Sequence, residues 1–277
     1  MTKATLYVVA TPIGNLADMV PRAIDVLQSV AVIAAEDTRH SARLLSHFGI
    51  KTPAIAYHDH SDQKQAEALL RRLQQGESIA LISDAGTPLI SDPGYRLVRL
   101  VRQHGIDVVP VPGACAVIAA LSVSGLPSDR FTFEGFLPAK SGQRKNRLER
   151  LAQEDRTMIF YEAPHRILEC LNDVAEVFGS QREVVMAREI TKTFETIRSG
   201  SAQEIRDFVE RDSNQQRGEI VLMVAGTVKV TQELDPEALR VMQILLKDLS
   251  VKQSSQLAAE ITGIKKKLLY QWALEQQ

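Results

Sequence analysis

The chain is poor in cysteine: two in 277 residues, Cys115 and Cys170, far apart and with no Cys-x-x-Cys pair. That scarcity excludes a disulfide scaffold and a cysteine-rich zinc site, and it suits a reducing cytoplasm. Long apolar runs are missing as well. The longest, Ala114 to Leu121, has eight residues, far below the roughly 20 that cross a bilayer. The opening run from Leu6 to Val9 is too short for a signal peptide. A cytoplasmic protein with no membrane partner is therefore expected. Neither charge sign dominates, since 33 Lys plus Arg face 34 Asp plus Glu for a net charge of −1. A protein that coats nucleic acid by bulk charge is normally basic, so any such contact here has to rest on a local patch. There is no internal repeat and no low-complexity tract. With no GxGxxG and no P-loop, nicotinamide and nucleoside triphosphate readings lack support. What is present is apolar material for a real core. Hydrophobic residues make up 44% and charged residues 24%, which rules out whole-chain disorder.

Apolar runs of strand length alternate with helical patterns through the first half. Strands are expected at Leu6–Ala10, Val30–Ala35, Ala54–Tyr57, Ser78–Ile82 and Asp107–Val111. Helices are expected from Pro21, from a Thr38 cap to Gly49, over Gln63–Gln75, from Asp92–Pro93 to His104, and over Cys115–Ser122. Continuous apolar strands between helices mean a mostly parallel sheet covered on both faces. Gly125–Asp129 reads as a linker. Beyond it the strands Phe131–Phe136, Met158–Tyr161, Val184–Ala187, Phe194–Arg198 and Ile220–Ala225 are more clustered, which suggests a mixed or antiparallel sheet. Its helices are expected at Arg144–Gln153, Pro164–Phe178 and Ala202–Arg211. From Asp235 onward only helices remain, over Pro236–Leu249 and Ser254–Glu275, the latter broken at Thr262-Gly263 into a helix-turn-helix shape. The expected architecture is α/β: one α/β domain over 1–125, a second over 130–228, and a helical tail over 235–277.

Ligands on parallel sheets sit at the carboxyl ends of the strands. Five loops of the first half lie on that edge. They are Thr11-Pro12-Ile13-Gly14-Asn15, Glu36-Asp37-Thr38-Arg39, Tyr57-His58-Asp59-His60, Ser83-Asp84-Ala85-Gly86-Thr87-Pro88 and Pro112-Gly113-Ala114. Gly86 permits close backbone approach to a ligand, and Asp84 and Thr87 can hydrogen-bond a ribose or an amine. A tight turn with an Asp cap explains the fourth loop equally well when taken alone. His58 and His60 share a strand face, but two histidines without a third ligand are weak grounds for a metal, and none is expected.

These stretches, together with GFLPAK, FYEAPHR and AREITKTFE, resemble the ribosomal RNA small subunit methyltransferase I family, within the tetrapyrrole-methylase superfamily. The likeness runs from about Leu6 to Ala225, and the terminal helices look similar too. It implies two α/β domains with S-adenosylmethionine folded in the cleft between them, and a homodimer. It also implies methylation of the ribose 2′-hydroxyl of cytidine 1402 in 16S rRNA, within the small ribosomal subunit. Thr11-Pro12-Ile13-Gly14-Asn15 departs from the glycine-rich first loop usual among tetrapyrrole methylases and has the pattern of the rRNA group. Ala114 stands where close relatives often have a second proline. Carried over position by position, the cofactor contacts are Pro12, Asp84, Ala85, Gly86, Thr87, Ile90, Cys115, Ala116 and Tyr161, with Ala187 the weakest of the set. Cys115 serves equally as a small buried residue.

In-line transfer to a hydroxyl draws much of its rate from positioning, and a base helps a poor nucleophile lose its proton. Glu36, Asp37 and Arg39 are candidates at a strand end, with Asp37 as base or orienter and Arg39 as a phosphate holder. A carboxylate at a helix start is accounted for equally by the helix dipole. Glu189 and Lys192 are the second candidate pair, with Lys192 lowering the hydroxyl's pKa or binding phosphate; a solvated surface lysine is the plainer account. Glu162 and Arg166 read as a pair across the turn, and His165 as a cap or a stacking residue. For RNA, Lys140, Arg144, Lys145, Arg147 and Arg150 face only Glu149, and Lys265-Lys266-Lys267 forms a second basic cluster in the tail. Either is equally a solvated helix face. Two other functions fit less well: a uroporphyrinogen- or precorrin-type tetrapyrrole methyltransferase, and a non-catalytic RNA-binding or ribosome-assembly module. The unusual first loop and the basic segment weigh against the former, and the clustered strand-end loops against the latter.

Overall fold

The computed structural model describes residues 4–58, 63–227 and 235–275. In the first half, β1 (Thr5–Val9), α1 (Pro21–Ser29), β2 (Val32–Ala35), α2 (Thr38–His47), β3 (Ala54–Ala56), α3 (Gln63–Gln74), β4 (Ile79–Ile82), α4 (Tyr95–Gln103), β5 (Asp107–Val111) and α5 (Ala116–Ser124) alternate along the chain. The strands form one sheet in the order β3-β2-β4-β1-β5 with every pairing parallel. β2 and β4 are buried at every position, as strands covered on both faces must be. Leu69, Leu70 and Leu73 of α3 pack with Leu97 and Val101 of α4 on one face. Ala23 and Leu27 of α1 and Leu45 of α2 fill the other.

The second sheet is mixed. It contains β6 (Phe131–Phe136), β7 (Thr157–Glu162), β8 (Glu183–Arg188), β9 (Thr196–Ser201) and β10 (Ile220–Val224) in the order β6-β7-β10-β8-β9. Only β6–β7 is parallel. The helices α6 (Ser141–Leu151), α7 (Ile167–Phe178) and α8 (Ala202–Arg211) pack on one face. On the other face lies α5, whose Val117, Ala120 and Leu121 meet Ile159, Val185, Val221 and Met223. Apolar all round, α5 joins the first sheet to the second by covering it, rather than covering the sheet it leaves. Residues 1–227 form one compact unit and 228–277 another. The second unit contains α9 (Pro236–Leu245), α10 (Val251–Thr262) and α11 (Lys266–Glu275) around Ala238, Met242, Ala258, Leu269 and Ala273. α10 ends on Gly263 at φ +74, a left-handed cap. Among the described residues no helix is long and apolar enough to cross a membrane.

Three local expectations are corrected. The helix expected from Asp92-Pro93 starts at Tyr95, because Leu89 and Ser91 take left-handed backbone (φ 75 and 65) and Gly94 has φ 130. This coil turns the loop back beside β4, where a Cβ on Gly94 would come within 2.8 Å of Leu81. Asp37, not Thr38, caps α2, its carboxylate accepting from the Arg39 amide. The strand expected from Phe194 begins at Thr196, because the preceding loop contains Glu189 and Thr191 at φ 51 and 68.

Candidate active site

The carboxyl-end loops of β1, β4 and β5 meet the second sheet around a cavity of about 360 Å³. Its floor is fixed by backbone pairing between loops. Thr11 N–H donates to Gly86 O at 2.9 Å, and Gly86 N–H returns a bond to Thr11 O at 3.0 Å. Gly86, at φ +79, lies against Ile13, and the Thr87 hydroxyl donates to Ala114 O at 3.0 Å, tying the loop after β4 to the loop after β5. From the other side, Phe136, the last residue of β6, joins the cavity wall, and Tyr161 packs edge-on against Phe133 at 4.9 Å. Burial pushes the Tyr161 phenol up, with Cys115 and Asp92 adding to the effect, so it stays neutral at physiological pH.

Of the ten residues assigned to the cofactor, seven line this cavity: Ala85, Gly86, Thr87, Ile90, Cys115, Ala116 and Tyr161. The other three lie behind it. Pro12 sits between the bridged Thr11 and the lining Ile13. Asp84 ties two loops together, its carboxylate accepting from the Asp37 amide at 3.1 Å while its own N–H donates to Glu36 Oε2 at 3.4 Å. Ala187 is buried under α5 in register with Val221.

Asp37 and Arg39 form an exposed fork-like pair, with Arg39 Nη2 to Asp37 Oδ2 at 3.1 Å. The Arg39 guanidinium and amide hold the Asp37 carboxyl at about 2. Such a carboxylate is a weak acceptor for a hydroxyl proton. Neither residue lines the cavity, nor does Glu36.

Glu189 and Lys192 stand closer, on the loop whose Ile190 lines the wall. Lys192 Nζ bonds Glu189 Oε1 at 2.8 Å and Glu219 Oε2 at 3.0 Å, and Glu189 Oε1 also accepts the Glu219 amide at 2.9 Å. Burial would raise Glu189, but the Lys192 ammonium and the Glu219 amide outweigh it and hold the carboxyl below its usual range. Burial would lower Lys192, but the two carboxylates outweigh it and raise the ammonium. Lys192 is therefore a fixed positive charge and not a base. Its stem crosses to the first half, packed against Gly14 so closely that a Cβ there would collide with it.

The sequence reading missed Gly218 and Glu219, which line the cavity beside Ile220. Pairing β10 with β8 in the register Ile220↔Arg188 brings them next to Glu189; that register is invisible in a local motif. Phe136 and Glu162 were missed as lining residues too. Glu162 does pair with Arg166, as expected across the turn.

The basic segment is corrected. Arg144 is fully buried: its Nε meets Asp173 Oδ2 at 2.6 Å, and Nη1 donates to Ala139 O at 3.2 Å. It clamps the loop before α6 and cannot reach a phosphate. Lys145 pairs with Glu176 at 2.6 Å and Arg147 with Glu134, while Lys140 and Arg150 have no carboxylate partner among the described residues. In the tail, Lys266 donates to Gln256 at 2.7 Å, beside Lys265 and Lys267. Asp59 and His60 lie outside the described residues, within which no cluster of three His, Cys, Asp or Glu could hold a metal.

Residues 5–206 match the profile of the Tetrapyrrole (Corrin/Porphyrin) Methylases, and residues 232–277 match the RsmI C-terminal HTH domain. A protein of Pseudomonas aeruginosa named ribosomal RNA small subunit methyltransferase I is 59% identical over the whole of this chain and 99% of its own. This chain belongs to that family. A relative of the same name from Escherichia coli O157:H7 is 54% identical over 100% of this chain and 96% of its own, and one from Synechocystis is 49% identical over 98% and 97%. Among solved structures, a diphthine synthase superposes with TM-score 0.61 at 11% identity, over 81% of this chain and 91% of its own. A uroporphyrin-III C-methyltransferase from Thermus thermophilus, complexed with S-adenosylhomocysteine, does so with TM-score 0.54 at 16% identity over 80% and 97%. These two carry the fold alone. The family's fold is the one described: two α/β layers with the cavity between them, and a helical C-terminal unit.

Proposed function

We propose that the protein transfers a methyl group from S-adenosylmethionine to the 2′-hydroxyl of cytidine 1402 in 16S rRNA, acting in the cytoplasm on the small ribosomal subunit. The observation that carries this reading is the cavity between the two sheets, lined by backbone and small side chains from the Gly86 and Cys115 loops. It suits a cofactor with a flat adenine ring and polar ribose and amino-acid groups: apolar walls with a few convergent polar groups are the common form of such sites. Ala85, Gly86, Thr87, Ile90, Cys115, Ala116 and Tyr161 would hold the cofactor, which supplies an electrophilic methyl group when bound.

The chain's own contribution is positioning and charge. Phe136, half-exposed at the mouth, offers a face on which a splayed pyrimidine can stack. Lys192, held positive by Glu189 and Glu219, favours the ionised form of an approaching hydroxyl and can hold a neighbouring phosphate. Asp37 is better suited to orienting the second and fourth loops than to taking a proton. The hydroxyl's proton passes to solvent or to an exposed carboxylate such as Glu219. The support for an rRNA acceptor is the full-length likeness to relatives bearing that name.

The test is label transfer from S-adenosylmethionine to small subunits that lack the modification, followed by mass spectrometry of the decoding-centre fragment. One methyl on the ribose of cytidine 1402 is the expected product. Label on a uroporphyrinogen-type substrate with none on RNA would overturn the reading. Lys192→Ala should lower the rate at saturating RNA by at least tenfold while Asp37→Asn changes it little; full activity in Lys192→Ala removes Lys192 from the reaction.

A further inference from the structure

Three of the cations named by sequence for RNA contact, Arg144, Lys145 and Arg147, are paired with acids within the fold, which leaves open where RNA is held. The structure points to α4. Its sequence, Tyr95-Arg96-Leu97-Val98-Arg99-Leu100-Val101-Arg102-Gln103, contains three arginines and no acidic residue. Leu97 and Val101 are buried against the first sheet, while Tyr95, Arg96, Arg99 and Arg102 are exposed. At 100° per residue the four exposed side chains share the outward face, and a rise of about 1.5 Å per residue spaces the arginines about 4.5 Å apart along the axis. None of the three has a carboxylate partner among the described residues. This contrasts with Arg144, Lys145 and Arg147, each of which faces an acid at close range. A chain with net charge −1 that keeps three arginines unpaired on one helix face has a local field suited to an anion.

The ridge also lies in a useful place. Ser91 and Asp92 line the cavity, and α4 begins three residues after Asp92. Tyr95, 63% exposed, presents its ring at that end, with Arg99 Nη1 donating to its hydroxyl at 3.3 Å. An aromatic ring followed by a row of guanidinium groups is the arrangement that takes a single RNA strand, stacking one base and tracking phosphates.

We propose that the outward face of α4 is an RNA-binding track that receives the phosphates flanking the target nucleotide, with Tyr95 stacking a neighbouring base. This rests on the rRNA reading of the cavity.

The test measures binding of the full chain to small ribosomal subunits, and to a 16S rRNA fragment, at several salt concentrations. It compares wild type with Arg96→Gln/Arg99→Gln/Arg102→Gln and with the triple Arg→Lys variant. The Gln variant should weaken RNA binding and lower the magnitude of the salt slope by about 2, the value for three lost phosphate contacts on a single strand. It should raise KM for RNA while S-adenosylmethionine affinity by calorimetry and the melting temperature stay at wild type. The Lys variant should retain most of the slope, and Tyr95→Ala should weaken binding without changing it. A Gln variant with wild-type affinity and slope overturns the proposal and leaves the rRNA reading intact. So does one whose sedimentation shows a changed oligomeric state with RNA binding unaltered, since α4 would then be a protein interface. If wild type neither binds nor methylates any rRNA substrate, the rRNA reading fails and the track falls with it.

Discussion

At the scale of single residues, the cavity depends on positions where a side chain has no room. Gly218 has φ +81, and a Cβ there would run into the Glu189 carboxyl. Gly218→Ala should destabilise the fold by at least about 1 kcal/mol from backbone conformation alone. It should also weaken cofactor binding by displacing Glu189, read as a lower melting temperature and a larger Kd by calorimetry. Arg144 gives the opposite kind of sensitivity. Truncating a buried, paired charge strands its partner, so Arg144→Ala should cost about 3–5 kcal/mol in chemical denaturation. An RNA contact at that position would instead show as a change in salt slope, and none is expected. The residue scale is also where sequence was least informative. Arg144, Lys145 and Arg147 look alike as cations in one basic run. Their fates differ because Asp173, Glu176 and Glu134 approach from other elements, and nothing in the local pattern records those approaches.

At the scale of elements, most of the alternation was legible because it rests on local physics: apolar runs, glycine stops and caps. β5 and α8 lie where spacing put them. The Ser201 capping box on α8 illustrates the rule, with Ser201 and Glu204 each satisfying the other's backbone amide. Ser201→Ala should cost about 1 kcal/mol, measurable as a shift in the denaturation midpoint with no loss of cofactor affinity. The failures came where tertiary geometry overrides a good local signal. Asp92-Pro93 is a sound helix start, yet the preceding left-handed residues postpone α4 to Tyr95. α5 reads as one more crossover helix, but its uniformly apolar surface places it on the second sheet. The loops from the first sheet that line the cavity were legible because they follow parallel strands on one edge; Gly218 and Glu219 were not, because only antiparallel pairing of β10 with β8 brings them in.

At the scale of the whole molecule, the Glu189–Lys192–Glu219 cluster bridges to the first half through the contact of Lys192 with Gly14. Its pH dependence follows from the two shifts. Glu189 is held below its usual range, so its contribution is present above its unfolded value, roughly 4, and is lost as pH falls through the folded value. Lys192 is held above its usual range, so its contribution is present below roughly 10 and is lost as pH rises through the folded value. Stability and cofactor affinity should show no transition from this cluster between those limits, and Lys192→Met should remove the alkaline limb of the profile. A mid-range transition that survives in that variant would belong to another group.

The pair of bonds between Thr11 and Gly86 has a kinetic consequence. Thr11 is buried, and each of the two amides is closed by the other's carbonyl, so neither can exchange its hydrogen with solvent unless the two loops part. Deuterium uptake at these two positions would therefore time the opening of the cavity floor, and both amides should exchange in step, at a rate that slows when the cavity is filled.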